Sequence, residues 1–557
     1  MDRKTVVALS TLTLLIACNG PSPPPLQLAR DQTLRLPIYS TPSPGSPSLD
    51  PASLSASMET AIGDNIFDGL YRFNEQMQEQ PDIAKGMPSV SPDGLTYTFH
   101  LRHNVRFWNG DPVTAADFIY SWNRAAAING DWGTIFQPVA GYAAVAAAGK
   151  VTNEARLDVT APDDYTLVAR LSAASGYWLA ELVLPAAWVV DQNAIAQGGA
   201  EQWWTKPNDL VGTGPFRMTD WTSNGDLAFA PVANWWNGST GALTRVELHI
   251  VTGADDWTGY NNGQFDVVGF GQPYLAVHNV QSIAALRQNA ARRSEVRTWP
   301  LGTTVWVGFK LPSGLFSGSD QGRQLRQAFS QAIDRKKLAL AVCQDATICA
   351  PATGGMIAKG LRGYLGDGAD PGAKFDPAGA RATVKRIDPN GTLLHGLTYY
   401  YPVPANDPSQ AVAENLSAQW SANLGVTVTI KALDRATFFT DSAYGTFAMW
   451  RQGWQADYDH PQDWFDNLFI DTAGCSAPLC VVYDRPGFSA LIASADQKPV
   501  ADALPDYLRA GQMLAGDYAY AALYYLVRTA VIKPYVQGYG ANALWENRWT
   551  SLRILQH

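Results

Sequence analysis

The chain has 557 residues, of which 46% are hydrophobic and 16% charged, the composition of a globular protein and not of a disordered one. This length exceeds what a single hydrophobic core usually serves, so it predicts two or three domains. The formal net charge is −9 and the basic residues form no stripe, which argues against nucleic acid as a partner.

The first 30 residues predict an export signal and a tether. The basic stretch MDRK precedes an apolar run, Thr5–Ala17, which is shorter than the roughly 20 residues that a membrane-spanning helix needs. The run ends at Cys18 in the tetrad LIAC, which resembles a bacterial lipobox. That resemblance implies removal of residues 1–17 and acylation of Cys18, and the alternative is an ordinary signal peptide with a chance cysteine. The Pro-rich segment 18–30 is typical of a tether.

These features predict a protein that lies outside the cytoplasm, on the periplasmic side, and is held to a cell membrane by lipid. After the tether, no apolar run of the sequence is long enough to predict a transmembrane helix. The sequence leaves open which membrane of a two-membrane cell carries the anchor.

Helix and strand patterns follow each other along the chain. An alternating strand with Tyr97, Phe99 and Leu101 on one face precedes Thr114, which is placed to cap a helix. Farther on, an amphipathic pattern predicts one continuous helix over Gln324–Ala339.

Four cysteines beyond Cys18 fall in two close pairs, Cys343 with Cys349 and Cys475 with Cys480. In an oxidising compartment this spacing favours two local disulfides, although four cysteines allow three connectivities. A four-cysteine zinc site is the alternative, although the cysteines of such sites are usually spaced more closely than these.

A strand–helix–strand unit lies between residues 396 and 433. Gly396–Pro402 predicts a strand, Ser409–Gly425 a helix that Gly425 ends, and Val426–Leu433 a second strand. Such a unit pairs its strands in parallel, as in α/β proteins. The strand Phe447–Trp454 and a helix from Pro461 follow.

Asp457 therefore falls just past the carboxyl end of a strand, where open α/β sheets place their ligands. The same segment has other interpretations. Asp457 or Asp459 could cap the helix that begins near Pro461, and Arg451 could neutralise Asp457 inside the domain.

The sequence contains no G-x-S-x-G elbow, no phosphate-binding loop and no H-E-x-x-H motif, and its seven histidines are scattered. We therefore predict that the protein is not an enzyme and uses no metal or cofactor. A secreted hydrolase or a chaperone-like surface protein is the alternative from another class, because catalytic groups can assemble from distant residues.

Several blocks of the sequence resemble, in the same order, the extracellular solute-binding proteins that serve ABC transporters for oligopeptides. The blocks are PDGLTYTFHLRHNVRFWNGDPVTAADFIYSWNR, NDLVGTGPF, NWWNG, RQLRQAFSQAIDR, WRQGWQADY and KPYVQGY. The resemblance extends over nearly all of the chain after the leader.

This resemblance implies a periplasmic-binding-protein-like α/β fold of type II, the three-lobed cluster C form, with mixed sheets, flanking helices and a ligand cleft between lobes. It implies a lobe I built from residues 31–68, 211–302 and 527–557. Lobe II would be residues 69–210 and lobe III residues 303–526. It also implies an ABC permease and ATPase as partners, and a monomer.

The resemblance also implies ligand contacts in the block WRQGWQADY. Asp457 matches the aspartate that pairs with a peptide's α-ammonium group, which is a charge common to peptides. Arg451 matches an arginine near the ligand's carboxylate, and Trp454 a residue that packs against the ligand. Trp450 and Tyr458 flank them and complete the predicted site.

Two departures keep a second ligand class open. Peptide binders often carry a further basic residue where this chain has Ser442, and an acidic or polar contact where it has Ser55. Oligosaccharide, or another small solute, is therefore the alternative ligand. Trp450, Trp454 and Trp464 are the aromatic side chains that would stack on sugar rings.

Overall fold

The computed structural model describes residues 27–39, 48–54, 57–252, 255–273, 275, 279–344, 348–403, 408–443, 446–470, 481–483 and 485–557. The predicted leader with Cys18, the position Ser55, and the pair Cys475 and Cys480 lie outside the described residues. Ser442 lies in a described helix, but its side chain is not among the described atoms.

The strands alternate with helices along most of the chain. In chain order they are β1 Thr33–Ile38, β2 Tyr71–Phe73, β3 Glu79–Pro81, β4 Ser89–Val90, β5 Thr96–His100, β6 Val159–Asp163, β7 Thr166–Arg170, β8 Phe216–Trp221, β9 Leu227–Pro231, β10 Arg245–Ile250, β11 Val267–Val268, β12 Val296–Phe309, β13 Cys349–Pro351, β14 Thr398–Val403, β15 Thr429–Asp434, β16 Met449–Gln455, β17 Tyr520–Ile532, β18 Val536–Gln537 and β19 Arg553–Ile554.

The helices are mostly short and cover the sheets. In chain order they are α1 Ser57–Ile66, α2 Ala115–Ile128, α3 Tyr142–Ala148, α4 Trp178–Glu181, α5 Gln192–Gly198, α6 Asp255–Asn261, α7 Val280–Gln288, α8 Asp320–Gln331, α9 Arg335–Cys343, α10 Pro377–Ile387, α11 Ser409–Leu424, α12 Arg435–Ala443, α13 Gln462–Leu468, α14 Phe488–Ala495 and α15 Val500–Gly516. Within the described ranges, none of them has the length and apolar character needed to cross a membrane.

Three larger sheets organise the described part of the chain. One has the order β1-β10-β9-β8, with β1 and β10 parallel. A second, antiparallel sheet has the order β4-β5-β7-β6. The largest runs β11-β17-β12-β16-β14-β15, with β13 also paired to β17, and it combines parallel and antiparallel strands. The predicted mixed α/β architecture is therefore confirmed.

Two long antiparallel strands, β12 and β17, run through the largest sheet. Their pairing begins at Val296 opposite Val531 and shifts register between Pro300 and Thr304. Before the shift β17 also pairs with the short β11, and after it β12 also pairs with β16. The predicted lobe boundaries, between residues 302 and 303 and between 526 and 527, fall at this irregularity and stay a prediction.

The buried side chains form two clusters. One cluster is built around the sheet that contains β1 and includes Leu36, Phe229 and Trp549. The other cluster joins the sheet of β5 to the largest sheet in one continuous core, which includes both Trp122 and Tyr524. Segments that the sequence assigns to lobes II and III thus share buried packing.

The strand–helix–strand prediction is confirmed, because β14 and β15 pair in parallel on either side of α11. The single helix predicted over Gln324–Ala339 is wrong, since α8 ends at Gln331 and α9 begins at Arg335. The reason is local. The Asp334 carboxylate accepts the amide protons of Lys336 and Lys337, at 3.1 and 3.0 Å, and so starts a new helix.

Cys343 and Cys349 are joined in a disulfide, as predicted, which ties the end of α9 to the start of β13. Both residues are fully buried. The other predicted pair lies outside the described part of the chain.

Replacing both cysteines of this disulfide by serine should lower the free energy of unfolding by roughly 2 kcal/mol, because a short covalent loop no longer restricts the unfolded chain. Urea unfolding of the double variant, compared with the oxidised wild type, measures the difference. Equal unfolding free energies would show that this disulfide does not stabilise the fold.

Candidate functional site

The predicted site segment links β16 to α13. β16 lies inside the largest sheet, antiparallel to β12 on one side and parallel to β14 on the other. It ends at Gln455, and Asp457 follows before α13 begins at Gln462. Asp457 therefore lies at the end of an inner strand, where an α/β sheet leaves room for a ligand.

A cavity of about 250 Å³ opens beside Asp457. Its walls come from four separate parts of the chain, namely α1, the loop after α2, the end of β16, and β17 with the segment that follows it. The lining residues are Ser57, Thr60, Ala61, Asp64, Trp132, Gln455, Ala456, Asp457, Arg528, Leu544, Trp545 and Glu546. The cavity is thus a cleft between elements that are remote in sequence.

The Asp457 carboxylate is half-buried and partly satisfied by the protein. The Trp132 side chain, an obligate donor, forms a hydrogen bond with it. Burial, with a smaller contribution from the nearby Asp131 carboxylate, raises the pKa of Asp457 to about 6 against the opposing effect of the hydrogen bond from Trp132. A cation placed in the cavity would therefore stabilise the ionised form of Asp457.

Asp463 holds this segment through two hydrogen bonds. Its Oδ2 atom accepts the Trp454 indole N–H at 3.0 Å and the Asp457 backbone N–H at 3.3 Å. Asp463 is fully buried, and burial together with the Asp457 carboxylate raises its pKa well above the ordinary value. The half-buried Trp454 packs on the large core, so Asp463 connects the end of β16 to the backbone of Asp457.

The other predicted site residues lie at different depths. Trp450 is 3% exposed and packs near Phe447, with ring centroids 6.4 Å apart, so its place in this structure is the core. Tyr458 is 5% exposed, and its hydroxyl lies within hydrogen-bonding distance of the side-chain oxygens of Glu181, at 3.3 Å, and of Gln462. These two side chains are not in the wall of the cavity beside Asp457.

Arg451 is half-buried on β16, opposite Val307 of β12. Trp464, which the sequence suggested for sugar stacking, is 1% exposed in α13. Of the predicted ligand contacts, Asp457 lines the cavity, and Trp454 is connected to it through Asp463.

The alternative in which Asp457 or Asp459 caps α13 is wrong, because the side chain that accepts the backbone N–H of Gln462, the first residue of α13, is His460 through its Nδ1 atom, at 3.2 Å. Asp459 instead accepts the Arg362 backbone N–H at 2.7 Å. The Arg362 guanidinium contacts Asp459 at 3.4 Å and binds both oxygens of Glu79, at 2.7 and 2.8 Å. This ion-pair network joins β3 to the loop beside the site.

The cavity also contains functional candidates that the sequence did not indicate. Arg528 and Glu546 form a buried ion pair at 2.9 Å, and Tyr539 donates to Glu546 at 2.7 Å. Trp132 and Trp545 supply the aromatic surface. These residues meet only through tertiary folding, and a pattern read along the chain could not have assembled them.

Among the described residues, no group of three or more histidine, cysteine, aspartate or glutamate side chains is arranged to hold a metal ion. The side chains that line the cavity offer carboxylates, one paired guanidinium and two indoles. These groups bind and orient a ligand, and an acidic wall of this kind is suited to a ligand that carries a positive charge.

The chain is similar over most of its length to known solute-binding proteins. Residues 78–474 match the family of bacterial extracellular solute-binding proteins, family 5. The periplasmic oligopeptide-binding protein OppA of Salmonella typhimurium is 27% identical over 582 residues, covering 100% of this chain and 99% of that protein. The murein peptide-binding protein MppA of Escherichia coli is 26% identical over 564 residues, covering 96% and 95%.

Solved structures of the same kind share the fold. The unliganded open form of MppA superposes with a TM-score of 0.78 at 24% identity, covering 96% of this chain and 99% of that one. Haemophilus influenzae OppA in complex with the peptide RPPGFSPFR superposes with a TM-score of 0.69 at 20% identity, covering 95% and 100%. The predicted type II periplasmic-binding-protein fold is confirmed, and the chain belongs to the family 5 bacterial extracellular solute-binding proteins.

Proposed function

We propose that this solute-binding protein captures oligopeptides outside the cytoplasm and delivers them to an ABC importer, with no chemistry of its own. Relatives that extend over the whole chain are named for oligopeptide binding, and one related structure contains a bound peptide. The permease and ATPase subunits of the importer are the partners under this proposal, and the protein acts as a monomer.

The observation that carries the proposal is the position of the Asp457 carboxylate in the wall of the cavity. Peptides differ in their side chains but share an α-ammonium group, so a fixed carboxylate recognises all of them. Burial makes ionised Asp457 costly without a cation, and a bound ammonium group would offset that cost through a charge-assisted hydrogen bond.

Arg451 and Trp454 complete the proposed contacts. We assign Arg451 to the neighbourhood of the ligand's carboxylate and Trp454 to packing against the ligand chain, with Asp463 holding the indole in place. The residue Tyr458 would act less directly, because its hydroxyl is bound to Gln462 and Glu181.

Ligand capture under this proposal closes one lobe on another. The long pair β12 and β17 is the connection that would bend, since its register shift lies where the predicted lobes I and III meet. Lobe I would be residues 31–68, 211–302 and 527–557, lobe II residues 69–210, and lobe III residues 303–526.

Oligosaccharide stays the second candidate ligand, because Trp132 and Trp545 both line the cavity and indole faces stack on sugar rings. The two candidates differ in what holds the ligand. A peptide depends on the charge of Asp457, whereas a sugar depends on the indoles.

We also propose that acylated Cys18 anchors the protein to a membrane after the leader is removed. The apolar run that ends in LIAC and the Pro-rich segment after it support this. The tether would let the folded body reach the importer while it stays at the membrane surface.

Asp457→Asn should weaken the binding of trialanine by about 2–3 kcal/mol, or roughly 30- to 150-fold in Kd, because the charge of the ion pair is lost. N-acetylation of trialanine should weaken binding to the wild type by a similar factor and have little effect on the variant. Isothermal titration calorimetry measures all four combinations.

The matched control is Asp434→Asn, which changes an exposed aspartate at the end of β15 and should leave every affinity unchanged. Equal effects of N-acetylation on the wild type and on Asp457→Asn would contradict the ammonium contact. Strong binding of an oligosaccharide that is lost in Trp132→Ala would favour the second candidate.

The same titration should depend on pH. Because the pKa of Asp457 is about 6 without ligand and only its ionised form pairs with ammonium, affinity for trialanine should rise about tenfold between about pH 5 and about pH 7. Asp459 and Asp466 also have pKa values raised to about 6 by burial, so Asp457→Asn is the control. A pH step that survives in this variant belongs to other titrating groups and not to Asp457.

Cys18→Ser should move the protein from the membrane fraction to the soluble extracytoplasmic fraction of bacterial cells, because the acylated thiol is lost. Fractionation followed by immunoblotting measures this, and Cys343→Ser, which removes a cysteine inside the folded body, should leave the distribution unchanged. A Cys18→Ser variant that stays in the membrane fraction would rule out the lipid anchor.

A further inference from the structure

A second cavity, of about 300 Å³, lies next to the cleft at Asp457. Residues around β2 and the segment 542–551 form its walls. Asp64, Trp545 and Glu546 line both cavities, so the two spaces are direct neighbours. A ligand held at Asp457 could therefore extend a side chain toward the second cavity.

Asp82 is the unusual group in this second cavity. It is 2% exposed, and neither of its carboxylate oxygens has a hydrogen-bond partner. Its backbone is fixed, because its N–H donates to Leu70 at 2.9 Å. Arg548 Nη2 lies 3.9 Å from Asp82 Oδ2, which is beyond hydrogen-bonding distance. A buried carboxylate in this condition is costly unless something else binds it.

The cations around Asp82 are already engaged with other carboxylates. Arg548 binds Asp68 at 2.7 Å and Asp64 at 3.2 Å, and Arg72 lies 3.8 Å from Asp64. Asp64, Asp68 and Asp82 are therefore three carboxylates that share two guanidinium groups.

The other charged residue that lines both cavities, Glu546, does not change this excess of one carboxylate over the guanidinium groups. Glu546 is paired with Arg528 at 2.9 Å, so that pair is neutral. Burial, and then the Asp68 carboxylate, raise the pKa of Asp82 to about 7. A cation that entered the cavity would favour the loss of the proton from Asp82, and its positive charge would balance the negative charge of this third carboxylate.

The shape of the walls indicates what kind of cation fits. Tyr71, Trp188 and Trp545 line the cavity with aromatic surface, and Asp82 supplies the charge. Aromatic walls pack against an aliphatic stem and attract a cation at its end, whereas a bare metal ion would need several oxygen ligands. A lysine or arginine side chain has the required form.

We propose that the second cavity is a side-chain subsite in which Asp82 binds the ammonium or guanidinium group of a basic residue near the amino end of the ligand. This proposal rests on the proposed peptide-binding function, with the ligand's α-ammonium group at Asp457. It makes the protein selective for basic peptides and not only tolerant of them.

The test uses tripeptides that carry either lysine or norleucine at the first or second position, with alanine elsewhere. Norleucine has the same stem as lysine without the ammonium group. The wild type should bind the lysine peptide at least tenfold more tightly than its norleucine partner at one of the two positions. In Asp82→Asn this ratio should fall to within about twofold of one, while trialanine binds as before.

Glu75→Gln is the matched control, because Glu75 lines the same cavity but is exposed. It should keep the lysine preference. An unchanged ratio in Asp82→Asn, or a wild type without a lysine preference at either position, would overturn the subsite. Should Asp82→Asn fail to fold, as judged by its thermal unfolding, Asp82→Ser takes its place, and a lysine preference that this variant keeps would equally overturn the subsite.

The two proposals fail in different ways. Trialanine that does not bind, or that binds equally well after N-acetylation, contradicts the peptide site at Asp457. Trialanine that binds through its ammonium group without any preference for lysine contradicts only the subsite at Asp82.

Discussion

The cost of burying a carboxylate at the end of an inner strand is the constraint on which the site depends. Asp457 lies past β16 in a cleft, where burial raises its pKa to about 6. The indole of Trp132 donates one hydrogen bond to this carboxylate, which can accept several. A positive group of a ligand can supply the remaining stabilisation of the ionised carboxylate. The unfavourable energy of burial is then offset only when a cation is bound, which favours cation binding.

The rest of the structure keeps that carboxylate in position. β16 is held on both sides within the largest sheet, and Asp463 binds both the Trp454 indole and the Asp457 backbone. Arg362 joins the adjoining loop to Glu79 in a distant part of the chain. A fixed anchor of this kind suits the proposed function, in which a ligand is held without being changed and no group needs to move a proton.

Much of the fold could be predicted because its signals are local. The alternation of β14 and β15 and the apolar stripe of α11 lie within about forty residues, and the structure reproduces their parallel pairing. The break between α8 and α9 was missed, because one aspartate, Asp334, starts a new helix in a sequence whose apolar pattern continues. In the sequence, the capping signal of one residue is weaker evidence for a helix boundary than an apolar pattern over sixteen residues is for a continuous helix.

The site was predicted only in part, for a physical reason. Asp457 could be placed from the strand that precedes it, but Trp132, Arg528, Glu546 and Asp82 reach the two cavities from separate elements. Tryptophan content also misled, since Trp450 is in the core. Burial depends on how elements pack, and residue type alone does not determine it.

The most direct test of the central claim is the identity of the ligand that the protein retains when it is purified without added solute. Mass spectrometry of the small molecules released by denaturation would identify it. We expect peptides with a free amino terminus from the wild type, and their loss from Asp457→Asn purified in parallel. Oligosaccharides, or peptides whose amino termini are blocked, would contradict the account.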